Sequence, residues 1–232
     1  MKKTFLAAAL AVVAQIAMVA APAASQEPTS SSASMISTPA PAAQSDWKVE
    51  TPYDTDVVLG STSAPVTVVE YGSLTCPHCA DFQNKKFDSF KKEWIDSGKV
   101  KFVFRQFPID QSAMAAAALV HCLPMSEQHQ AINGMYGSIK EWAVGDLKAT
   151  IPAQLTKILG RDVTFEKDFQ SCVSDEGFQQ IVLKPAFDGM KNGVQATPTF
   201  FVNGEKIVGF SEAQPRTIDD LVAKKLAAPA SK

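Results

Sequence analysis

Two cysteines separated by two residues are the side chains of this chain best suited to chemistry. They belong to Cys76-Pro77-His78-Cys79, called here the CPHC motif. A cysteine thiolate is a strong nucleophile, and two thiols at this spacing close a short disulfide ring that interconverts by exchange. The motif therefore predicts redox exchange with other thiols. Half of a zinc site and a purely structural disulfide are the alternatives, although a second Cys-x-x-Cys pair is missing from the sequence and its three histidines are scattered.

The sequence on either side of the motif predicts that both sulfurs lie at the start of a helix. Residues 66–72 are rich in β-branched side chains and predict a buried strand, whereas residues 81–97 carry large apolar side chains at helical spacing. Unpaired N–H groups and the helix dipole lower the pKa of a cysteine at a helix N-terminus. We therefore expect a Cys76 thiolate, with Pro77 at the first helical position. We also expect His78 to tune the Cys76 pKa, the alternative being a histidine that merely fills the turn.

A single acidic side chain, Glu70, interrupts the apolar strand before the motif. Burial without a partner would raise its pKa and allow it to exchange a proton with a nearby cysteine. On a solvated face it would be an ordinary carboxylate, and alternation within an apolar strand does not decide between the faces. Arg105, on the next predicted strand, is expected to be a solvated surface residue rather than the partner of Glu70.

The N-terminal segment predicts export. Residues 1–23 combine two lysines with an alanine-rich apolar run and small residues suited to cleavage, which is typical of a secretory signal peptide. A retained membrane anchor is the alternative. Residues 24–46 are rich in Ser, Pro, Ala and Gln without a heptad pattern, and predict a disordered spacer. We therefore expect a monomer in the periplasm, an oxidising compartment in which disulfides persist.

The composition narrows the range of partners. The chain has 232 residues and a formal net charge of −2 at pH 7. This mild acidic balance argues against binding to nucleic acid or to anionic membrane surfaces. We expect no cofactor and no bound metal, because the chemistry is assigned to the two sulfurs alone.

The order of predicted elements indicates an α/β chain with a helical insertion. Residues 99–107 alternate apolar and polar side chains and predict a strand parallel to the one before the motif. Residues 111–193 show helical patterns throughout. An Asn-Gly pair at 203–204 between two apolar runs predicts a hairpin, and Thr217 predicts the cap of a final amphipathic helix. The predicted order is βαβ, helical block, ββα.

The CPHC motif on a strand–helix turn, the helical insertion and the late segment 194–204 resemble the DsbA-type thiol:disulfide oxidoreductases of the thioredoxin superfamily. This resemblance covers about residues 55–228 and implies an α/β, thioredoxin-like fold with an inserted helical domain. The predicted organisation has four parts: a signal peptide (1–23), a spacer (24–46), a thioredoxin-like domain (47–110 and 194–228) and a helical insertion domain (111–193).

The resemblance also implies a role for individual residues. Cys76 corresponds to the exposed nucleophile of the family and Cys79 to its buried resolving partner. Glu70 falls where the family has a buried acid near the resolving cysteine. Pro198 occupies the place of the cis-proline that faces the redox pair, and Thr197 precedes it, so that both residues are expected to bind substrate.

Two further cysteines remain after the redox pair is assigned. Cys122 and Cys172 are predicted to form a second, structural disulfide, because disulfides persist in an oxidising compartment. Two buried free thiols that behave as small apolar side chains are the alternative.

The implied activity is donation of disulfide bonds to unfolded or reduced exported proteins. A DsbB-like membrane quinone reductase would re-oxidise the enzyme. Thr-Pro also occurs in isomerase-type relatives, so Thr197 keeps a disulfide isomerase or reductase as the alternative. A non-enzymatic chaperone or a copper-binding protein is a third hypothesis, with weak support because no Met or His cluster surrounds the motif.

Overall fold

A mixed five-stranded sheet organises the part of the chain that the computed structural model describes, residues 53–163, 176–213 and 217–228. The strand order is β1-β3-β2-β4-β5, with β1 (Val57–Leu59), β2 (Val66–Gly72), β3 (Val100–Gln106), β4 (Thr199–Val202) and β5 (Glu205–Val208). Strands β2 and β3 are parallel and the other neighbours antiparallel. The predicted βαβ unit and the late ββ pair are confirmed.

A helix begins within the CPHC motif, at Pro77, and alternates α-helical and π-helical turns. Its segments are α1 (Pro77–Asp81), a π turn (Phe82–Lys86), α2 (Phe87–Phe90) and a second π turn (Lys91–Ile95), together called the motif helix (residues 77–95). It begins four residues before the apolar pattern at residue 81, because Pro77 suits the first helical position. Its buried face carries phenylalanines that pack against aromatic side chains of the sheet: Phe82, Phe87 and Phe90 against Phe102, and Phe82 also against Phe200.

The described residues between β3 and β4 contain helices and no strand, as the sequence pattern predicts. These helices are α3 (Gln111–His121), α4 (Met125–Tyr136), α5 (Ile139–Trp142), α6 (Leu147–Leu159) and α7 (Glu176–Lys191). Contacts group the described residues into one compact unit. The division into a thioredoxin-like domain and a separate helical domain therefore stays a prediction.

The predicted hairpin and final helix are both confirmed. Asn203 (φ 44°) and Gly204 (φ 80°) adopt the left-handed conformation that a tight turn between β4 and β5 requires. Thr217 caps helix α8 (Ile218–Ala227), because its hydroxyl accepts from the Asp220 N–H at 3.2 Å. The Asp220 carboxylate in turn accepts from the Thr217 N–H at 2.8 Å, which completes a capping box.

The two faces of the sheet bury different clusters. In β2, Val66 and Val68 pack on the side of the motif helix, whereas Val69 and Tyr71 pack on the opposite side. Because side chains alternate along a strand, Glu70 shares the face of Val68 and therefore points toward the motif helix.

The N-terminal predictions fall outside the described residues. The signal peptide (1–23) and the spacer (24–46) both precede the first described residue. Among the described helices, none has the length and apolar character needed to cross a bilayer.

Candidate functional site

Cys76 occupies the N-cap position of the motif helix. Its backbone is extended (φ −77°, ψ 121°), and Pro77 follows at the first helical position. Proline has no N–H group, so the first backbone donors of the helix belong to His78 and Cys79. The Cys76 N–H is held by the Ser73 carbonyl at 2.9 Å. The sulfur thus lies where the unpaired donors of the helix converge.

These surroundings lower the pKa of Cys76 from its ordinary value of 9.0 to about 5. The largest cause is a hydrogen bond from the Cys79 thiol; burial opposes it, and the Thr197 side chain and the N–H groups of Cys79 and His78 lower the pKa further. As a thiol, Cys76 donates to the Thr197 carbonyl oxygen, 3.2 Å from its Sγ. That carbonyl disfavours an anion, but the several donors facing the sulfur outweigh it, so the thiolate is preferred at neutral pH.

The segment around Pro198 covers the nucleophilic sulfur. The Thr197–Pro198 peptide bond is cis, as the resemblance implies, and Pro198 is buried. The expected exposure of Cys76 is wrong: the residue is only 4% exposed, because the Thr197 carbonyl lies directly against its sulfur. Pro77 and His78 are the exposed members of the motif.

Glu70 and Cys79 are both fully buried beneath Cys76. Neither carboxyl oxygen of Glu70 has a hydrogen-bond partner among the described residues, since its neighbours in the sheet register are Phe104 and Phe200. Burial, and then the negative charge of Cys76, raise the pKa of Glu70 well above its ordinary value. Burial also raises the pKa of Cys79, followed by its hydrogen bond to Cys76 and the charge of Glu70. The solvated alternative for Glu70 is thereby excluded.

Gly72 leaves room for the Glu70 carboxyl group because it has no side chain. A Cβ at Gly72 would lie 2.5 Å from Cε2 of Phe104 and 3.1 Å from Oε1 of Glu70. Both distances are shorter than carbon atoms normally tolerate, so a side chain at this position would displace the carboxyl group or the ring.

Tyr136, at the end of α4, was not among the predicted site residues. Its ring is 2% exposed, and its hydroxyl makes no hydrogen bond of good geometry among the described residues. Burial raises the pKa of Tyr136, and the negative charges of Cys79, Glu70 and Cys76 and a weak hydrogen bond with the Cys79 side chain raise it further. Its position in α4 is typical of a core aromatic, so nothing in the sequence distinguishes it from the other buried rings.

Hydrogen bonds tie the loop before the motif to the first helix of the insertion. The Thr75 hydroxyl donates to Oδ2 of Asp110 at 2.6 Å and lies 3.3 Å from the Ser73 hydroxyl. Asp110 also caps α3, because its Oδ1 accepts from the Ala113 N–H at 2.7 Å. The residue preceding Cys76 is therefore positioned by the start of the helical block.

The expectation that Arg105 is a solvated residue is wrong. It is 4% exposed and donates to both carboxylate oxygens of Asp56, at 2.9 and 2.7 Å. It also donates to the Tyr71 hydroxyl at 3.0 Å, and its guanidinium lies 4.5 Å from the centre of the Tyr53 ring. The cause is alternation along β3, which directs Arg105 to the face opposite Glu70, where residues 53–56 cover it.

Only one cysteine of the predicted second disulfide lies within the described residues. Cys122 is half-buried directly after α3, and Cys172 lies outside the described residues, so the pairing stays a prediction. Cys76 and Cys79 are free thiols in this structure. Within the described residues, no group of three or more His, Cys, Asp or Glu side chains is arranged to hold a metal ion.

The sequence is similar to proteins of disulfide metabolism. A sequence model described as Thioredoxin matches residues 52–223. Disulfide bond formation protein D of Bacillus subtilis is 30% identical over 163 residues, covering 67% of this chain and 71% of that protein. A putative protein-disulfide oxidoreductase of Rickettsia prowazekii is 28% identical over 180 residues, covering 75% of this chain and 65% of its own length. The chain spans 56% to 65% of the length of such rickettsial relatives.

Solved structures show the same architecture. The crystal structure of alpha-DsbA1 from Wolbachia pipientis has 28% sequence identity and a TM-score of 0.63, over 76% of this chain and 96% of that chain. The structure of oxidised BdbD from Bacillus subtilis has 25% identity and a TM-score of 0.61, over 75% and 94% of the two chains. The expected α/β, thioredoxin-like fold is confirmed.

Proposed function

Because this chain belongs to the DsbA-like thiol:disulfide oxidoreductases of the thioredoxin family, we propose that it donates disulfide bonds to unfolded or reduced exported proteins. The observation that carries the proposal is the pairing of an acidic thiol, Cys76 with a pKa of about 5, and a fully buried one, Cys79. An acidic thiol is a good leaving group, and stabilising its thiolate favours the reduced enzyme over the oxidised one.

The reaction proceeds by two exchanges. A substrate thiolate attacks Sγ of Cys76 in the oxidised enzyme; the Cys76–Cys79 bond breaks, and its electron pair remains on Cys79. Glu70 gives its carboxyl proton to the Cys79 thiolate, which burial makes a strong base. A second substrate thiolate then attacks the substrate sulfur, releases Cys76 as a thiolate and leaves a disulfide in the substrate.

The remaining predicted site residues, Thr197, Pro198, Pro77 and His78, have supporting roles. Thr197 and Pro198 bind the extended substrate, because the Thr197 carbonyl already lies 3.2 Å from the reacting sulfur. Pro77 suits the first helical position, where a backbone N–H would have no acceptor within the helix. His78, exposed beside Cys76, favours the thiolate. Each unit by which the Cys76 pKa is lowered stabilises its thiolate by about 1.4 kcal/mol, which raises the reduction potential of a two-electron couple by roughly 30 mV.

The cellular setting follows from the N-terminal sequence. Cleavage of residues 1–23 releases the protein into the periplasm, where it acts as a monomer. A DsbB-like membrane quinone reductase accepts the two electrons of the reduced pair and regenerates the disulfide. Residues 24–46 serve as a spacer, because their composition cannot bury enough apolar surface to order itself.

Oxidation of reduced, unfolded ribonuclease A tests the activity directly. Wild-type enzyme, first oxidised, is expected to restore ribonuclease activity and to become reduced in equal amount. Cys76→Ser is expected to abolish the reaction, whereas Cys79→Ser leaves a nucleophile that cannot release its substrate and accumulates a mixed disulfide. Failure of the wild-type enzyme to oxidise ribonuclease would contradict the proposal.

Isomerisation or reduction is the second candidate, because Thr197 precedes the proline as it does in isomerase-type relatives. Alkylation trapping in living cells distinguishes the two directions. Predominantly oxidised Cys76 and Cys79 are expected for a donor. Predominantly reduced cysteines, together with recovery of scrambled ribonuclease, would replace the donor proposal with the isomerase.

A further inference from the structure

The Tyr136 hydroxyl is a buried polar group that the mechanism above does not use. The ring of Tyr136 meets that of Phe104 edge-on, with centroids 6.2 Å apart. Phe104 is the neighbour of Glu70 in the register between β2 and β3. Tyr136 therefore reaches the same face of the sheet as the unpartnered carboxyl group.

Two side-chain contacts hold the end of α4 against the motif helix. Gln83, one turn after Cys79, donates from Nε2 to Oδ1 of Asn133 at 3.3 Å. The next residue, Asn84, donates from Nδ2 to the Tyr136 carbonyl at 3.4 Å. Because these contacts hold the last turn of α4 against the motif helix, the Tyr136 side chain stays within the core that contains Cys79.

The polar atoms at this point lack well-formed hydrogen bonds. Both carboxyl oxygens of Glu70 and the Tyr136 hydroxyl are buried without a hydrogen bond of good geometry among the described residues, and the one group in bonding reach of the hydroxyl is the Cys79 thiol. The titratable groups that act on the hydroxyl are Glu70 from β2, and Cys76 and Cys79 from the start of the motif helix. A buried donor without an acceptor is costly unless another state of the protein supplies one.

Cys76 and Cys79 are free thiols in this structure, and the acceptor in question is the anion that forms on Cys79 when the oxidised pair is opened by a thiolate. The Cys76–Cys79 bond breaks, a bond between Cys76 and the attacking thiol forms, and the electron pair stays on Cys79. When the proton of Glu70 passes to Cys79, the negative charge moves to the carboxylate. The charge therefore occupies a buried, apolar site in either form, where an unsolvated anion is strongly disfavoured.

We propose that the Tyr136 hydroxyl donates a hydrogen bond to whichever of Cys79 and Glu70 carries the negative charge after the disulfide opens. Tyr136 is thus a positioning residue supplied by the helical block, and it keeps its own proton throughout. This inference rests on the proposed function, because it concerns the opening step of the same exchange.

Removal of the hydroxyl alone tests the inference. The rate of disulfide opening by dithiothreitol is measured from pH 5 to 9 in wild type, Tyr136→Phe and Tyr71→Phe, by rapid alkylation and mass spectrometry. Tyr71→Phe is the matched control, because it removes a tyrosine hydroxyl from the opposite face of β2. Tyr136→Phe is expected to slow opening about tenfold near neutral pH, as for loss of a hydrogen bond to a charged group. The control rate is expected to stay within about twofold of wild type.

A double variant separates a specific role from a structural one. In a Glu70→Gln background the negative charge stays on Cys79, so the hydroxyl is needed throughout the opening step and Tyr136→Phe is expected to slow opening by clearly more than about tenfold. Equal rates in Tyr136→Phe and Tyr71→Phe, or independent effects of Glu70→Gln and Tyr136→Phe, would overturn the inference while leaving the proposed function intact. A wild-type protein that does not exchange with dithiothreitol would overturn both.

A measurement on the wild-type chain tests the inference even if the Tyr136→Phe variant does not fold. The chain contains three tyrosines, so tyrosine labelled with 13C at Cζ gives three signals. Tyr53→Phe and Tyr71→Phe assign two of them by loss, and the third belongs to Tyr136. We expect the Tyr136 signal to shift on reduction of the CPHC motif, whereas the others stay in place. An unchanged Tyr136 signal would overturn the inference.

Discussion

Adjacent residues of β2 lead into two buried polar clusters with opposite character. On one face, Tyr71 belongs to a cluster in which Arg105 forms two hydrogen bonds to Asp56 and one to the tyrosine hydroxyl. On the other face, Glu70 has no partner for either carboxyl oxygen. Both clusters lie in the interior of the same sheet, one residue apart in sequence.

The difference lies in what each cluster can change. A buried pair with every donor and acceptor satisfied strongly disfavours any other arrangement, so the Arg105 cluster fixes residues 53–56 and β3 in place. A carboxyl group without partners is held in its neutral form and can release or take up a proton when a neighbouring charge moves. One face of the sheet is thus built for rigidity and the other for proton exchange.

The largest effect is expected from breaking the satisfied cluster. Arg105→Leu leaves Asp56 buried without its cation and should lower the free energy of unfolding by about 3–5 kcal/mol. Chemical denaturation measures this loss. The matched control is Arg161→Leu, which removes the same forked contact to a carboxylate, Glu127, at an exposed site and should cost far less, because solvent screens the pair. Equal losses of unfolding free energy in the two variants would contradict the assignment of a structural role to the buried Arg105 cluster.

The next effect concerns Glu70 and depends on pH. Its pKa is raised in the folded protein, so the folded state binds the proton more tightly than the unfolded state. The free energy of unfolding should therefore fall as the pH rises above about 4.3, by up to about 1.4 kcal/mol per pH unit. Glu70→Gln should remove this fall, whereas Glu93→Gln on the exposed side of the motif helix should preserve it. Parallel stability curves for wild type and Glu70→Gln would refute the assignment.

A smaller effect is expected at the hydroxyl of the satisfied cluster. Tyr71→Phe removes the acceptor for Nη1 of Arg105 and should cost about 1.5 kcal/mol of stability. The Cys76 thiolate, followed by its absorbance at 240 nm, should still titrate with a midpoint at about pH 5, because the sheet separates the two clusters. A midpoint displaced by a full pH unit would show that the two faces are electrostatically coupled.

The smallest effect is expected at exposed His78. His78→Ala leaves the backbone N–H in place and should raise the Cys76 pKa by no more than about one unit, which makes the pair up to roughly 30 mV less oxidising. Thiolate absorbance and equilibrium with glutathione measure the two quantities. Lys85→Ala, which removes an exposed positive charge from the motif helix, serves as the control. Identical titrations of wild type and His78→Ala would remove His78 from the mechanism.

Local patterns in the sequence were sufficient for the elements and for the redox pair. The hairpin at Asn203 and Gly204 and the cap at Thr217 depend on residues close in sequence, as do most of the contacts that make Cys76 acidic, so short-range chemistry specifies them. The environments of Glu70, Arg105 and Tyr136 depend on which distant segment covers each face of the sheet. Alternation alone did not decide which face Glu70 takes, and nothing near Arg105 in the sequence revealed that residues 53–56 would bury it.

The contact between Cys76 and Thr197 joins residues that lie 121 positions apart in the chain. Most of the donors that stabilise the thiolate come from the motif itself, whereas the edge that covers the sulfur is synthesised much later. A nascent chain therefore acquires its reactive sulfur before it acquires the surface that selects what may approach it. The residues that make the sulfur acidic are thus synthesised before the residue that covers it.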